Sequence, residues 1–273
     1  MHPFINIGVR VAREAGEIIM RAQQHLEEIE ISAKSKNNFV TSVDIAAEDL
    51  IVSKLRQAYP DHAILAEERG HATEDDQRAR HSDYQWIIDP LDGTTNFIHG
   101  YPHFCISIAL LYQGKIQHGI IYDPVKQDIY TASKGEGARK NNRRICVSKC
   151  KKIEEAMIAT GLPSSAGYAF NEFGQSLSSL ASASRSIRLA GSAALDLAYV
   201  ASGQLDGYWS AQLCPWDIAA GALLIREAGG MCSDDLGHDD VLKSGNIIAS
   251  NVKLVRSLAD HTQQFYKRIR QHE

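Results

Sequence analysis

The segment WIIDPLDGTTNF, residues 86–97, constrains this chain more than any other. Trp86, Ile87 and Ile88 form a short apolar run of the kind that a buried strand requires. The run stops at Asp89. Pro90 is expected to force a turn, which brings Asp92 round to face the same point as Asp89. Open α/β sheets place ligands at the carboxyl ends of their strands. Two adjacent carboxylates repel, and each tends to take up a proton. A divalent cation removes that cost, and oxygen-only donors suit a hard ion such as Mg²⁺. Gly93, Thr94 and Thr95 then offer what a phosphate needs. Glycine lets the backbone approach closely, and a helix starting here would aim free N–H groups at an anion. The Thr94 hydroxyl is a candidate for orienting water. The plain alternative is that Asp-Pro and Asp-Gly are ordinary turn dipeptides. A calcium loop fits poorly, because its alternating acids and distant glutamate are missing.

Two further acids stand at similar junctions. Glu67 follows the apolar stretch 63–66, and Asp217 opens an apolar helix in Pro215-Trp216-Asp217. Taken singly, Glu67 is equally a solvated loop acid, and Asp217 a charge favoured by a helix dipole.

Around these segments the periodicity predicts two amphipathic helices, over residues 4–22 and 44–58, then strands at 63–66 and 86–88. Residues 69–83 are charged and aperiodic, a surface loop. Residues 104–133 predict a three-stranded antiparallel meander turning at Gln113-Gly114 and Asp123-Pro124. Thereafter strands alternate with helices near 171–183, 192–201, 215–228 and 252–270, which implies a layered α/β region. The chain is expected to form one body, 1–273, with approximate halves 1–145 and 146–273.

The 273 residues carry a net charge of −4, which gives no overall electrostatic case for nucleic acid or membrane. No apolar run reaches the roughly 18 residues that span a bilayer, and the N-terminus lacks a secretory layout. Five cysteines make a poor disulfide framework, and Cys146 and Cys150 lack a second ligand pair for zinc. A cytoplasmic protein with reduced thiols is expected. His99 and His103 are expected to be structural or surface residues, since hard-cation sites favour oxygen. Trp216 is expected to pack in the core.

Assembled, these segments resemble the inositol monophosphatase family, and most closely its bacterial SuhB-like branch. The resemblance covers essentially the whole chain. It rests on FVTSVDIAAE (39–48), AEE (66–68), WIIDPLDGTTNFIHGYPHF (86–104), GIIYDPVKQDIYTASKGEGA (119–138), LAGSAALDLAYVASGQLDGYW (189–209), PWDIAAGALLIREAGG (215–230) and GNIIASN (245–251). It implies the α-β-α-β-α sandwich of the inositol monophosphatase and fructose-1,6-bisphosphatase superfamily. It also implies Mg²⁺-dependent hydrolysis of a phosphate monoester, a homodimer and sensitivity to lithium. By motif, Glu67, Asp89 and the Leu91 carbonyl would hold one Mg²⁺. Asp89, Asp92 and Asp217 would hold a second, and Glu67 with water a third. Gly93 and Thr94 would bind phosphate through their amides, and Thr94 Oγ with Glu67 would orient the attacking water. Asp44 would position Thr94. Gly191 and Ala193 would line the substrate pocket through their backbone. Lys34 is the candidate for a mobile-loop lysine, with Lys36 competing.

One departure bears on substrate. Many members carry a glutamate seven residues before the W-D aspartate, where it contacts sugar hydroxyls. This chain has Ser210 there, and Arg69 follows Glu67-Glu68 where serine is more usual. An inositol monophosphate is the leading substrate. Fructose-1,6-bisphosphate, NADP or a 3′-phosphoadenosine nucleotide are the alternatives. A different class of role, as a transcription antitermination partner of RNA polymerase–Nus assemblies, follows from the branch alone. Arg185 and Arg188 are candidates for such a surface. Neither direct DNA binding nor membrane association is expected.

Overall fold

Helical spacing near the N-terminus becomes α1, Pro3–Ala22, in a computed structural model that describes residues 2–29, 31–35, 38–71, 82–163 and 169–271. Its buried stripe is Ile5, Ile7, Val11, Ala12, Ala15 and Ile19. A β-hairpin follows, β1 Ile31–Ser35 with β2 Asn38–Thr41, and leads into α2, Ser42–Ala58. Thr41 caps α2: its hydroxyl accepts from the Val43 and Asp44 N–H groups and lies against the Asp44 carboxylate, which accepts from the Thr41 N–H at 2.9 Å. Removing such a cap costs about 1–2 kcal/mol. Thr41→Ala is therefore expected to lose that much stability in urea denaturation, and a change within experimental error would contradict the assignment.

The larger sheet has eight strands. They are β3 Ala63–Ala66, β4 Gly70–His71, β5 Tyr84–Asp92, β6 Cys105–Tyr112, β7 Lys115–Asp123, β8 Asp128–Ser133, β9 Gly137–Lys140 and β10 Arg143–Arg144. Their order is β10-β9-β8-β7-β6-β5-β3-β4, antiparallel except for the parallel pair β3–β5. A short helix, α3 Thr94–Ile98, follows β5. The smaller sheet has the order β12-β11-β13-β15-β14, from β11 Met157–Thr160, β12 Ser186–Arg188, β13 Gly207–Ser210, β14 Gly230–Ser233 and β15 Ile247–Asn251. Between these strands lie α4 Phe170–Ala183, α5 Ala193–Ala201, α6 Pro215–Glu227 and α7 Val241–Ser244, and α8 Val255–Arg270 ends the chain.

Three apolar clusters stack these elements into the α-β-α-β-α sandwich. One joins α1 and α2 to the outer face of the large sheet through Val11, Ile51, Trp86 and Ile108. A central cluster places α5 and α6 between the two sheets, with Leu197, Leu224, Ile121 and Ala249 among its members. A third packs α4 and α8 on the far face of the small sheet around Trp209, Phe173 and Phe265. The central cluster draws on residues from both sides of position 145.

Three expectations need correction. Pro90 does not end its strand. β5 continues to Asp92, and only its register with β6 slips between Asp89 and Asp92. Proline is tolerated there because β3 pairs with β5 only as far as Ile88, so no neighbour on that side needs the missing N–H. Within 69–83, Gly70 and His71 form a strand, while residues 72–81 lie outside the described residues. The meander extends by the β9–β10 hairpin, whose turn residues Asn141 and Asn142 take positive φ as asparagine readily does.

Candidate active site

Asp89 lies within β5, almost fully buried at 1% exposure, and its Oδ1 accepts from the Leu91 N–H at 3.0 Å. The slip after Asp89 is what returns Asp92 to the same face. Asp217 sits in the first turn of α6, where its Oδ2 accepts from the Cys214 N–H at 2.8 Å. Each of Asp89, Asp92 and Asp217 offers a carboxylate oxygen, and the three oxygens lie within 4.8 Å of one another. Glu67 follows β3, the parallel neighbour of β5, and its N–H donates to the Ile88 carbonyl at 3.2 Å. Its charge reaches Asp44, Asp89 and Asp92.

This crowding shifts the acids upward. Burial, reinforced by the charges of Glu67, Asp92 and Asp217, holds the Asp89 carboxyl well above the usual carboxylate range. Burial pushes Asp92 up to about 6, against the bonds that favour its ionised form. Those bonds come from the Ser192 hydroxyl at 2.6 Å and the Ala194 N–H at 2.7 Å, both to Oδ2. Among the described residues no lysine or arginine forms an ion pair with Asp89 or Asp92. The neighbouring Cys105 thiol is buried and pushed well above its ordinary value, so it offers no thiolate. An oxygen-only cluster short of positive charge fits a hard divalent cation.

A carboxyl raised in the folded state contributes stability below its unfolded value, and that contribution is lost as pH rises through the folded value, about 6 for Asp92. A cation bound to the ionised cluster reverses the loss. The Mg²⁺-induced rise in Tm should therefore be larger at pH 8 than at pH 5, with about 2.7 kcal/mol gained at a hundredfold excess over Kd. Thermal unfolding with Mg²⁺ or EDTA at both pH values checks this. An equal or larger rise at pH 5 would contradict it.

Beyond the carboxylates, Gly93 takes φ +96°, and a Cβ there would sit 3.0 Å from the His103 carbonyl, so only glycine suits the turn into α3. Thr94 Oγ stands 2.9 Å from Asp44 Oδ1 and 3.0 Å from the Leu91 carbonyl, and its single proton serves one acceptor at a time. Asp44 is itself 1% exposed and raised by burial, against the Thr41 and Thr94 bonds. Gly191, Ala193, Ser210, Asp92 and Asp217 line one cavity of about 560 Å³. Lys34 stands in β1, but its side chain lies outside the described residues, as does all of Lys36. Arg188 ends β12 and is exposed, and Arg185 stands just before that strand. Trp216 is half-buried and packs against the central cluster.

Several contacts escaped the sequence. Ser192 grips Asp92 across a separation of 100 residues. The Asn96 amide donates to the carbonyls of His103, at 2.6 Å, and Ala190, at 2.7 Å, which ties α3 to the loop before α5. His103 is buried and pairs with buried Asp196 at 3.0 Å. Asn96 lies inside the D-P-L-D-G-T-T-N run and Ser192 immediately precedes the predicted α5, but nothing local announces their partners.

The model of the inositol monophosphatase family matches residues 1–272. Among curated proteins, the Nus factor SuhB of Pseudomonas aeruginosa is 47% identical over 260 residues, covering 94% of this chain and 95% of that protein. Among solved structures, the extragenic suppressor protein suhB of Bartonella henselae superposes with a TM-score of 0.89 at 39% identity, covering 96% of this chain and 98% of that one. An IMPase of Thermotoga maritima gives a TM-score of 0.88 at 32% identity, with 98% and 100% covered.

Proposed function

This chain belongs to the inositol monophosphatase family, and from that premise we propose that it is a Mg²⁺-dependent phosphomonoester hydrolase whose substrate is an inositol monophosphate. The observation that carries the proposal is the meeting of Asp89, Asp92 and Asp217 within 4.8 Å, from elements more than 120 residues apart in sequence. Glu67, Asp89 and the Leu91 carbonyl would hold one Mg²⁺. Asp89, Asp92 and Asp217 would hold a second, and Glu67 a third through water. When bound, Mg²⁺ supplies positive charge that makes water a usable nucleophile near neutral pH and offsets charge on the leaving oxygen.

The remaining work belongs to the chain's own groups. The Gly93 and Thr94 amides would hold the phosphoryl oxygens at the turn into α3. Thr94 Oγ donates to Asp44 or Leu91, which leaves its lone pairs to accept from water, and the Glu67 carboxylate would accept a hydrogen bond from the same water, so that the two orient it. Ser192 and the Ala194 N–H fix Asp92, while the backbone of Gly191 and Ala193 borders the sugar. Ser210 is uncharged and 3% exposed, so one charge-assisted bond to a sugar hydroxyl, worth about 1.5–3 kcal/mol, is absent. A weaker preference for inositol over other small phosphates is expected for that reason. Fructose-1,6-bisphosphate, NADP and a 3′-phosphoadenosine nucleotide are the competitors in the assay.

The reading includes a homodimer, inhibition by lithium and residence in the cytoplasm. No helix among the described residues is long and apolar enough to cross a membrane. The test is phosphate release from a panel of phosphorylated metabolites, with Mg²⁺ and with EDTA. Mg²⁺-dependent release from myo-inositol 1-phosphate is expected. Release unaffected by EDTA, or none from any substrate, would overturn the proposal.

A second reading is favoured by the 47% identity to a protein named as a Nus factor. In it the chain partners RNA polymerase–Nus assemblies in antitermination, and catalysis is dispensable. Recovery of RNA polymerase with the Asp89→Asn variant supports this role, and its absence from pull-downs with the wild type counts against it.

A further inference from the structure

A net charge of −4 conceals a local excess. Seven of the 29 lysine and arginine residues fall within positions 139–152: Arg139, Lys140, Arg143, Arg144, Lys149, Lys151 and Lys152. No acidic residue stands between Glu136 and Glu154. The fold lays these cations along a fixed track. Arg139 to Arg144 lie on the β9–β10 hairpin at the edge of the eight-stranded sheet. Residues 145–152 then cross the surface without regular structure, yet they are pinned. The Val147 N–H donates to the Ala228 carbonyl at 3.1 Å, and the Asn251 amide donates to the carbonyls of Ser148 and Cys150 at 3.2 and 2.8 Å. Ile145 and Val147 pack against the central core, and Lys149, Lys151 and Lys152 are exposed.

Few of these charges are paired, although Glu154 and Glu155 stand beside Lys151 and Lys152. Lys140 is held by Asp128 at 2.6 Å. The other six form no ion pair among the described residues, and the Arg139 guanidinium donates only to the Asn142 carbonyl. Like charges along one segment repel, and a polyanion laid along them relieves the repulsion.

The geometry selects the kind of polyanion. A single phosphate needs converging donors, whereas these are strung out. Eight extended residues reach at most about 27 Å, enough to lie along several successive phosphates of one strand. The track contains no aromatic residue for base stacking and presents no helix to a groove, so contacts would be to the backbone and indifferent to sequence. None of the large exposed hydrophobic residues lies within it, which disfavours insertion into a lipid surface. We infer that residues 139–152 form a docking surface for the phosphodiester backbone of a single nucleic-acid strand, separate from the cavity beside Asp92.

Fluorescence anisotropy with labelled oligouridylate and oligothymidylate of about 20 nucleotides tests this between 50 and 200 mM salt. Wild-type protein should bind, weakening steeply with salt. Lys149→Glu/Lys151→Glu/Lys152→Glu should bind at least about tenfold more weakly, with a log–log salt slope shallower by about 2. A control with the same charge change elsewhere, Arg10→Glu/Lys115→Glu/Lys267→Glu, should bind nearly as wild type. Both variants should keep Mg²⁺-dependent phosphate release, which shows that they fold. Preference for oligouridylate would identify RNA as the strand, and equal binding would identify the shared backbone. The inference is overturned if wild type binds neither oligonucleotide, if the control loses as much as the track variant, or if the track binds only anionic phosphatidylserine vesicles.

Discussion

Asp89→Asn is expected to lower kcat for Mg²⁺-dependent phosphate release by at least about 10³-fold, a loss of about 4 kcal/mol of transition-state stabilisation. Asp89 is 1% exposed and is the residue assigned to both principal ions, so no water or neighbouring acid can take its place. Asparagine keeps the shape and can still accept from the Leu91 N–H through its carbonyl oxygen. It removes a charge that Glu67, Asp92 and Asp217 all oppose. The variant should therefore be at least as stable as wild type in EDTA, and should gain less from Mg²⁺. Lost activity with retained or increased Tm would separate failed metal chemistry from failed folding. Activity within tenfold of wild type would refute the assignment.

Gly221→Leu is the second large effect, and it links the core to the site. Gly221 lies where α6 crosses α5, and a Cβ there would sit 2.5 Å from Leu197 Cβ and 2.7 Å from Leu197 Cδ1. Leu197 is fully buried in the central cluster, so rotating one side chain gives no relief and the helices must move apart. Overpacking of this kind costs about 1–3 kcal/mol and occasionally more. The same two helices carry the site. The first turn of α6 holds Asp217, and the start of α5 supplies the Ala194 N–H that holds Asp92. Leu at 221 should thus destabilise the protein and weaken Mg²⁺ binding together. Gly174 in α4 is the control, because nothing lies within 4 Å of a Cβ built there. Gly174→Ala should stabilise by up to about 1 kcal/mol through helix propensity and leave Mg²⁺ binding unchanged. If Gly221→Leu were as stable as wild type, the close helix contact would not exist as described.

The layered fold was legible in the sequence because its helices and strands carry distinct periods. The apolar spacing of α1 and the turn residues of the β6–β8 meander needed no knowledge of their partners. Strand β5 beyond Asp89 was not legible, since proline ordinarily argues against continuing a strand. What permits it is the end of β3 at Ala66, a fact about a neighbour. Proximity of Asp89 to Asp92 was foreseeable from their spacing, whereas the arrival of Asp217 rests on the resemblance and on how α6 packs under β5, β6 and β7. The grip of Ser192 on Asp92 and the hydrogen bond from the Asn96 amide to the Ala190 carbonyl were out of reach, because no local pattern records a contact made across 94 or more residues.

On the proposed reading these acids hold hard cations beside a phosphate-binding turn. Anomalous diffraction from a crystal of the wild-type chain soaked in Mn²⁺, a stand-in for Mg²⁺, tests it most directly. Anomalous peaks are expected within coordination distance of Asp89, Asp92 and Asp217 oxygens, next to the Gly93–Thr94 backbone. A map in which Mn²⁺ binds elsewhere, or leaves those three carboxylates without a peak, would contradict it.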